Sequence, residues 1–207
     1  MLPGQTLIAP GTIITLRAGD TGIRPLWARD GTFLAFRKLQ QKAPEFNKWL
    51  LDHALPRNSA GTHLNQQQGA DLLGARMIGR WKSGAPIDLS PLADDPALGA
   101  DPQQNNDFDF THPFELIATD QSECPFAAHV RKTNPRADLL NADIINHVMR
   151  AGIPYGPEVT DAENTSGVST QDRGLAFGVC CPCYTYQIDR MLLICNPRRV
   201  PYSLVSG

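Results

Sequence analysis

The sequence has few aromatic residues, no surplus of either charge and no long apolar run. Aromatics make up 7% of the 207 residues, and 19 basic side chains meet 21 acidic ones for a net charge of −2. A near-neutral chain has no general attraction for nucleic acid. No stretch approaches the length needed to span a bilayer, so no membrane partner is expected. The start, Met1 to Thr6, lacks the basic beginning and apolar centre of a secretory leader, so no signal peptide is expected here. Regular cysteine spacing is also missing. There are five cysteines; Cys124 stands alone, and Cys180, Cys181, Cys183 and Cys195 crowd the end. An odd, irregular set argues against a disulfide framework, and Cys180-Cys181-Pro182-Cys183 lacks the paired gaps of a zinc site. Asp101, Asp107 and Asp109 lack the ordered spacing and closing Glu of a calcium loop, and are read as a solvated loop.

What is present is an ordinary globular composition, 42% apolar, with 17 Gly and 17 Pro. The length suits one domain or two small ones. So many turn formers predict long loops in place of a helical bundle. Thr12 to Leu16 is a β-branched run and reads as a strand or an extended edge. Asp30-Gly31 forms a turn at the mouth of a second strand, Thr32 to Arg37. Pro44 opens an amphipathic helix reaching about Leu55, with Phe46, Trp49, Leu50 and His53 on one face. His53 is read there as a packing or surface residue. Gln66 to Gly79 is a second helix. Residues 87–113 form a long loop, with a short strand allowed at Asp107 to His112. Residues 137–146 are ambiguous, helix or loop. Ile144 to Arg150 alternates like a strand, and Gly152 to Pro157 ends it in a rigid turn. Arg173 to Cys180 is the last strand.

Cys124 to Arg136 is the stretch with the most chemical promise. A short apolar run delivers His129, and basic and turn-forming residues follow. A neutral imidazole is a good ligand for haem iron. An isolated histidine in apolar surroundings is more often structural, and the local sequence leaves both readings open. Phe126, Leu175 and Phe177 are candidates to line an apolar slot, and Arg131 or Arg136 to meet propionates. Peroxide chemistry further needs a group that moves a proton between the two oxygens and a cation that stabilises charge as the O–O bond breaks. Asp30 and Arg150 are the candidates, each at an end of an extended run beside a glycine-containing turn.

Several blocks in order carry a resemblance: Trp27 to Leu39, Pro44 to Asn47, Arg76 to Pro86, Cys124 to Arg136, Arg150 to Glu158 and Arg173 to Phe177. Together they resemble the dye-decolorizing peroxidases of fungal type, haem peroxidases. The resemblance implies an α+β fold of ferredoxin-like type (the dimeric α/β-barrel kind), an antiparallel sheet with helices. It implies haem b, iron protoporphyrin IX, as cofactor. Asp30 matches the distal acid–base aspartate of a GxxDG motif and Arg150 the distal arginine. His129 matches the axial iron ligand, Leu175 and Phe177 the apolar residues of the distal pocket, and Arg131 a propionate contact. The implied reaction takes H2O2 and oxidises dyes, phenols and similar bulky donors. Trp81 and Tyr155 are weak candidates for surface electron transfer. An extracellular location follows from the family alone.

The match has limits. Trp27 stands where the motif has its first glycine. Most of the family's first half is expected to be missing, so residues 1–177 are read as a partial peroxidase domain, mainly the haem-binding half. Residues 178–207 are an unmatched tail, without the acidic partner expected behind His129, and read as the product of a truncated or mis-spliced gene model. The alternatives are an inactive fragment that binds haem poorly and, further off, a metal or redox module built on the tail cysteines.

Overall fold

The computed structural model describes residues 2–4, 7–111, 121–138 and 147–181. These residues fall into two units. One comprises residues 7–41, 147–158 and 171–181; the other comprises residues 2–4, 42–111, 121–138 and 159–170.

The first unit is built on a three-stranded antiparallel sheet. Its strands are β1 (Phe33–Gln40), β2 (Met149–Tyr155) and β3 (Gly174–Cys181), in the order β1-β3-β2. Val179 and Cys181 of the central strand are buried, and Ala35, Val148 and Phe177 pack against them. Two expectations shift here. The β2 strand continues through Gly152-Ile153-Pro154 to Tyr155, where the sequence suggested a turn. Pro154 is tolerated because, among the described residues, β2 is an edge strand, where a proline is accepted. The bend comes later, at Gly156 with φ +84°. The predicted strand at Thr12 to Leu16 is absent. Pro10–Thr12 instead form a 3-10 turn, with Pro10 supplying the fixed φ of its first position. Leu16 has a positive φ of 57°, which no strand allows.

The second unit is helical. α1 (Ala43–Asp52) starts with Pro44 in its first turn and buries Leu50. His53 closes it, stacked on Trp49 with ring centroids 4.5 Å apart. α2 (Gln66–Ile78) begins with a capping box. Asn65 accepts from the Gln68 N–H at 2.8 Å, and the Gln68 side chain accepts from the Asn65 N–H at 3.0 Å. It ends at Gly79, left-handed at φ +93°. Three short helices had no periodic signal: α3 (Pro96–Ala100), α4 (His129–Thr133) and α5 (Asp161–Ser166). The first replaces a stretch read as loop, the second covers His129 and the basic residues read as following an apolar run, and the third lies in a stretch read only as polar. The core joins Leu72 and Ala75 of α2 to Trp81, Ala85, Ile87, Phe110, Cys124 and Ala128. The possible strand at Asp107 to His112 does not form over the described residues 107–111. Residues 139–146 of the ambiguous segment, and Cys183 and Cys195, lie outside the described residues.

Candidate functional site

The sequence-derived site residues divide between the two units. Asp30, Arg150, Leu175 and Phe177 belong to the sheet unit, and His129 and Arg131 to the helical one.

In the sheet unit the strand register decides which side chains share a face. Residues directly opposite in an antiparallel pair point the same way, and alternate residues along a strand do too. Arg150 pairs with Val179, Gly152 with Phe177 and Pro154 with Leu175. On the other side Ala35 pairs with Val179, Arg37 with Phe177 and Leu39 with Leu175. Arg150, Leu175 and Phe177 therefore stand on one face. Gly152 makes room for Leu175 on that face: a Cβ there would lie 2.9 Å from Cδ1 of Leu175, which leans across the gap. Leu175 and Phe177 are half-buried and Arg150 is exposed.

Asp30 sits in the turn between the 3-10 turn Leu26–Ala28 and β1. The first residue of β1, Phe33, pairs with Cys181, two residues from the partner of Arg150. Asp30 and Arg150 thus lie toward the same end of the sheet. Asp30 has φ +64°, a left-handed conformation that Asp tolerates better than most side chains. Buried Thr15 holds it there. The Thr15 carbonyl accepts from the Asp30 N–H at 3.2 Å, and the Thr15 N–H donates to the Gly31 carbonyl at 2.9 Å. The Thr15 hydroxyl donates to the carbonyls of Ala28 and Gly31. Arg17 forms an ion pair with the Asp30 carboxylate, both side chains being about half exposed. Sequence reading missed both Thr15 and Arg17, because their contacts span a loop without a period.

The loop carrying Arg17 is itself tied down by Asp20. That carboxylate accepts from the Leu16 N–H at 2.8 Å, the Gly22 N–H at 3.0 Å and Nε of Arg24 at 2.8 Å. The Arg24 guanidinium, more than offsetting the cost of burial and helped by the backbone donors, holds the Asp20 carboxyl down at about 2.

In the helical unit His129 is the first residue of α4 and is exposed. α4 rests on the end of α2: a Cβ on Gly79 would come within 3.0 Å of Cβ of Val130 and 3.6 Å of Cβ of Ala128. Arg131, two residues on, points the other way and is 1% exposed. Its Nε and Nη2 donate to the two oxygens of Asp138 at 2.6 and 2.8 Å. Its Nη1 donates to the Cys124 carbonyl. Its guanidinium carbon lies 4.3 Å from the Phe126 ring centroid and 4.8 Å from that of Phe110. Arg136 is stacked on Phe108 at 3.9 Å and donates to the Asn106 side chain. Cys124, behind this cluster, is buried, which pushes its thiol up to about 12.

Trp81 proves to be a core residue, its indole N–H donating to the Ser90 carbonyl at 2.8 Å, so it offers no surface for electron transfer. Tyr155 lies under the Lys38 ammonium, 4.6 Å from its ring centroid. A cleft of about 150 Å³ lined by Asn47, Leu50, Asp71 and Lys82 contains none of the site residues.

No family model matches the chain. Individual proteins do. It is 57% identical over 182 residues to Peroxidase 2 of Mycetinis scorodonius, covering 85% of this chain and 34% of that protein. It is 58% identical over 184 residues to the dye-decolorizing peroxidase AauDyP1 of Auricularia auricula-judae, covering 85% and 35%. This chain matches one part of a fungal dye-decolorizing peroxidase. The match extends to the fold. A dye-decolorizing peroxidase solved with 2,6-dimethoxyphenol superposes with a TM-score of 0.85 at 58% identity, over 91% of this chain and 42% of that one. The antiparallel sheet with its helices is therefore part of the ferredoxin-like α+β fold of those peroxidases. The chain spans about a third of the length of the curated relatives it matches.

The donor set suits haem. An exposed histidine at the head of a short helix is the kind of ligand an iron porphyrin asks of the protein, so His129 fits that group.

Proposed function

We propose that this chain carries the haem-binding part of a secreted peroxidase that uses H2O2 to oxidise phenols, dyes and other bulky aromatic donors. The reading rests above all on one observation: Arg150, Leu175 and Phe177 share a face of the sheet, with Asp30 toward the same end. His129 would bind the iron of haem b, and Leu175 and Phe177 would bound the apolar space for peroxide. The bound haem would supply the redox equivalents for cleaving the peroxide and oxidising the donor. Asp30 would take a proton from one peroxide oxygen and return it to the other. Arg150 would stabilise the negative charge that builds as the O–O bond breaks. Thr15 and Arg17 would keep the Asp30 carboxylate at its post. Arg131 is assigned no propionate contact, because Asp138 and the Cys124 carbonyl already engage its guanidinium. Residues 1–177 would make up most of the peroxidase part, which β3 extends to Cys181.

Reconstitution with hemin tests the proposal. A Soret band should appear, and His129→Ala should abolish it. Dye bleaching should require peroxide and fall by at least about a hundredfold in Asp30→Asn or Arg150→Ala, the usual range for losing acid–base or electrostatic help. A folded chain with no Soret band would refute it.

A second reading is favoured by the outer sheet face. Leu34, Phe36, Met149 and Ile153 are 66%, 57%, 59% and 70% exposed. So large an apolar surface is unusual on a free-standing protein and suits a fragment that needs more of its fold before it can act. Addition of the family's remaining sequence should then restore hemin binding to a chain that lacks it.

A further inference from the structure

We infer that Arg131 is a positioning residue for the haem ligand: its buried guanidinium fixes the direction in which His129 leaves the chain. The inference rests on His129 being that ligand. α4 has five residues, too few to hold a helix by its own hydrogen bonds. Something outside the helix must set its orientation. Arg131 does so from two residues beyond His129. It joins the segment before the histidine, through the Cys124 carbonyl and the Phe126 ring, to the segment after it, through both oxygens of Asp138. Phe110 closes the other approach to the guanidinium.

A planar, two-pronged donor is what this arrangement needs. Lysine, a single point charge on a flexible stem, cannot hold both Asp138 oxygens and the Cys124 carbonyl at once. Groups that orient a metal ligand from behind typically change metal affinity by about 10–100-fold when lost. That effect is expected here although Arg131 touches neither iron nor porphyrin.

The test uses the whole 207-residue chain. Arg131→Lys and Asp138→Asn are loaded with hemin, and separately with hemin dimethyl ester, which has no charged propionates. Release to excess apomyoglobin is timed, and the ferric EPR signal is recorded. Release should be about 10–100-fold faster for both variants with both porphyrins, with altered rhombicity of the EPR signal. Lys132→Ala is the control and should release at the wild-type rate. Unchanged release in Arg131→Lys overturns the inference. An effect seen with hemin and lost with the dimethyl ester also overturns it, because that pattern marks a direct propionate contact. Amide hydrogen exchange on the hemin-free chain gives a separate readout. Residues 124–138 should exchange faster in Arg131→Lys while α2 is unchanged, and equal exchange overturns the inference. If the wild-type chain takes up no hemin, the ligand role of His129 fails, yet the exchange data still decide whether Arg131 fixes this segment. Asp138→Asn keeps one acceptor and serves where Arg131→Lys does not fold.

Discussion

Acidification should unfasten the loop that frames Asp30, and the structure says where. Asp20 is buried, its side chain 3% exposed, and it receives donors from Leu16, Gly22 and Arg24. Its carboxyl falls from 3.8 to about 2 in the fold. A group with a depressed folded pKa adds stability above its unfolded pKa and loses it as pH falls through the folded one. The shift is equivalent to roughly 2 kcal/mol, present in full above about pH 5 and gone near pH 2. Urea unfolding of wild type and Asp20→Asn, followed from pH 7 to pH 2, measures it. The asparagine variant should be less stable by about 2 kcal/mol at neutral pH, and the gap should close between pH 4 and 2. Loss of the loop should also reduce peroxidase turnover in any hemin-loaded form, because Thr15, Leu16 and Arg17 lie on the segment that Asp20 anchors. A stability gap that is constant across the pH range would refute the argument, since it would show that the carboxylate charge is not what Asp20 contributes.

Two further outcomes follow from the helical unit. Cys124 should resist alkylation in the folded chain at pH 8; because its thiol is raised by burial from 9.0 to about 12, stability should hold below pH 9 and decline above it, as unfolding at pH 10 against pH 8 will show. Gly79→Ala should cost about 1–2 kcal/mol in thermal or urea unfolding, since φ +93° disfavours any side chain and the new methyl presses on Val130.

The sequence made some of this legible and hid the rest for physical reasons. α1 declared itself through Pro44 and one apolar face, α2 through its apolar content, and β1 and β3 as short extended runs. α3, α4 and α5 are too short for a period to develop, and their capping residues, such as Asp95 and Thr160, also occur in ordinary turns. Thr12 to Leu16 misled because β-branched residues suit strands, whereas Pro10 and the Thr15 bonds to residues 28–31 commit them to a loop. Pro154 misled in the opposite sense, since an edge strand accepts a proline. The chemistry of Asp30, His129 and Arg150 could be named from residue type and resemblance. That Arg150, Leu175 and Phe177 share a face follows only from pairing across more than twenty residues of chain. Arg131 carries charge in the sequence and points inward in the structure, and no local pattern distinguishes an arginine that meets a ligand from one that ties two loops.

The sheet order has a consequence for how this protein is made. β3 is the central strand, and it is the last of the three to be synthesised. Among the described residues β1 has no sheet neighbour until β3 is made, so Phe33 pairs only once Cys181 has appeared. At a typical 5–20 residues per second this leaves Leu34, Phe36 and an open backbone edge exposed for about ten seconds or more. The helical segments in between can condense meanwhile from nearer contacts, such as α1 with α2. For the described elements the chain order therefore favours helices first and sheet last.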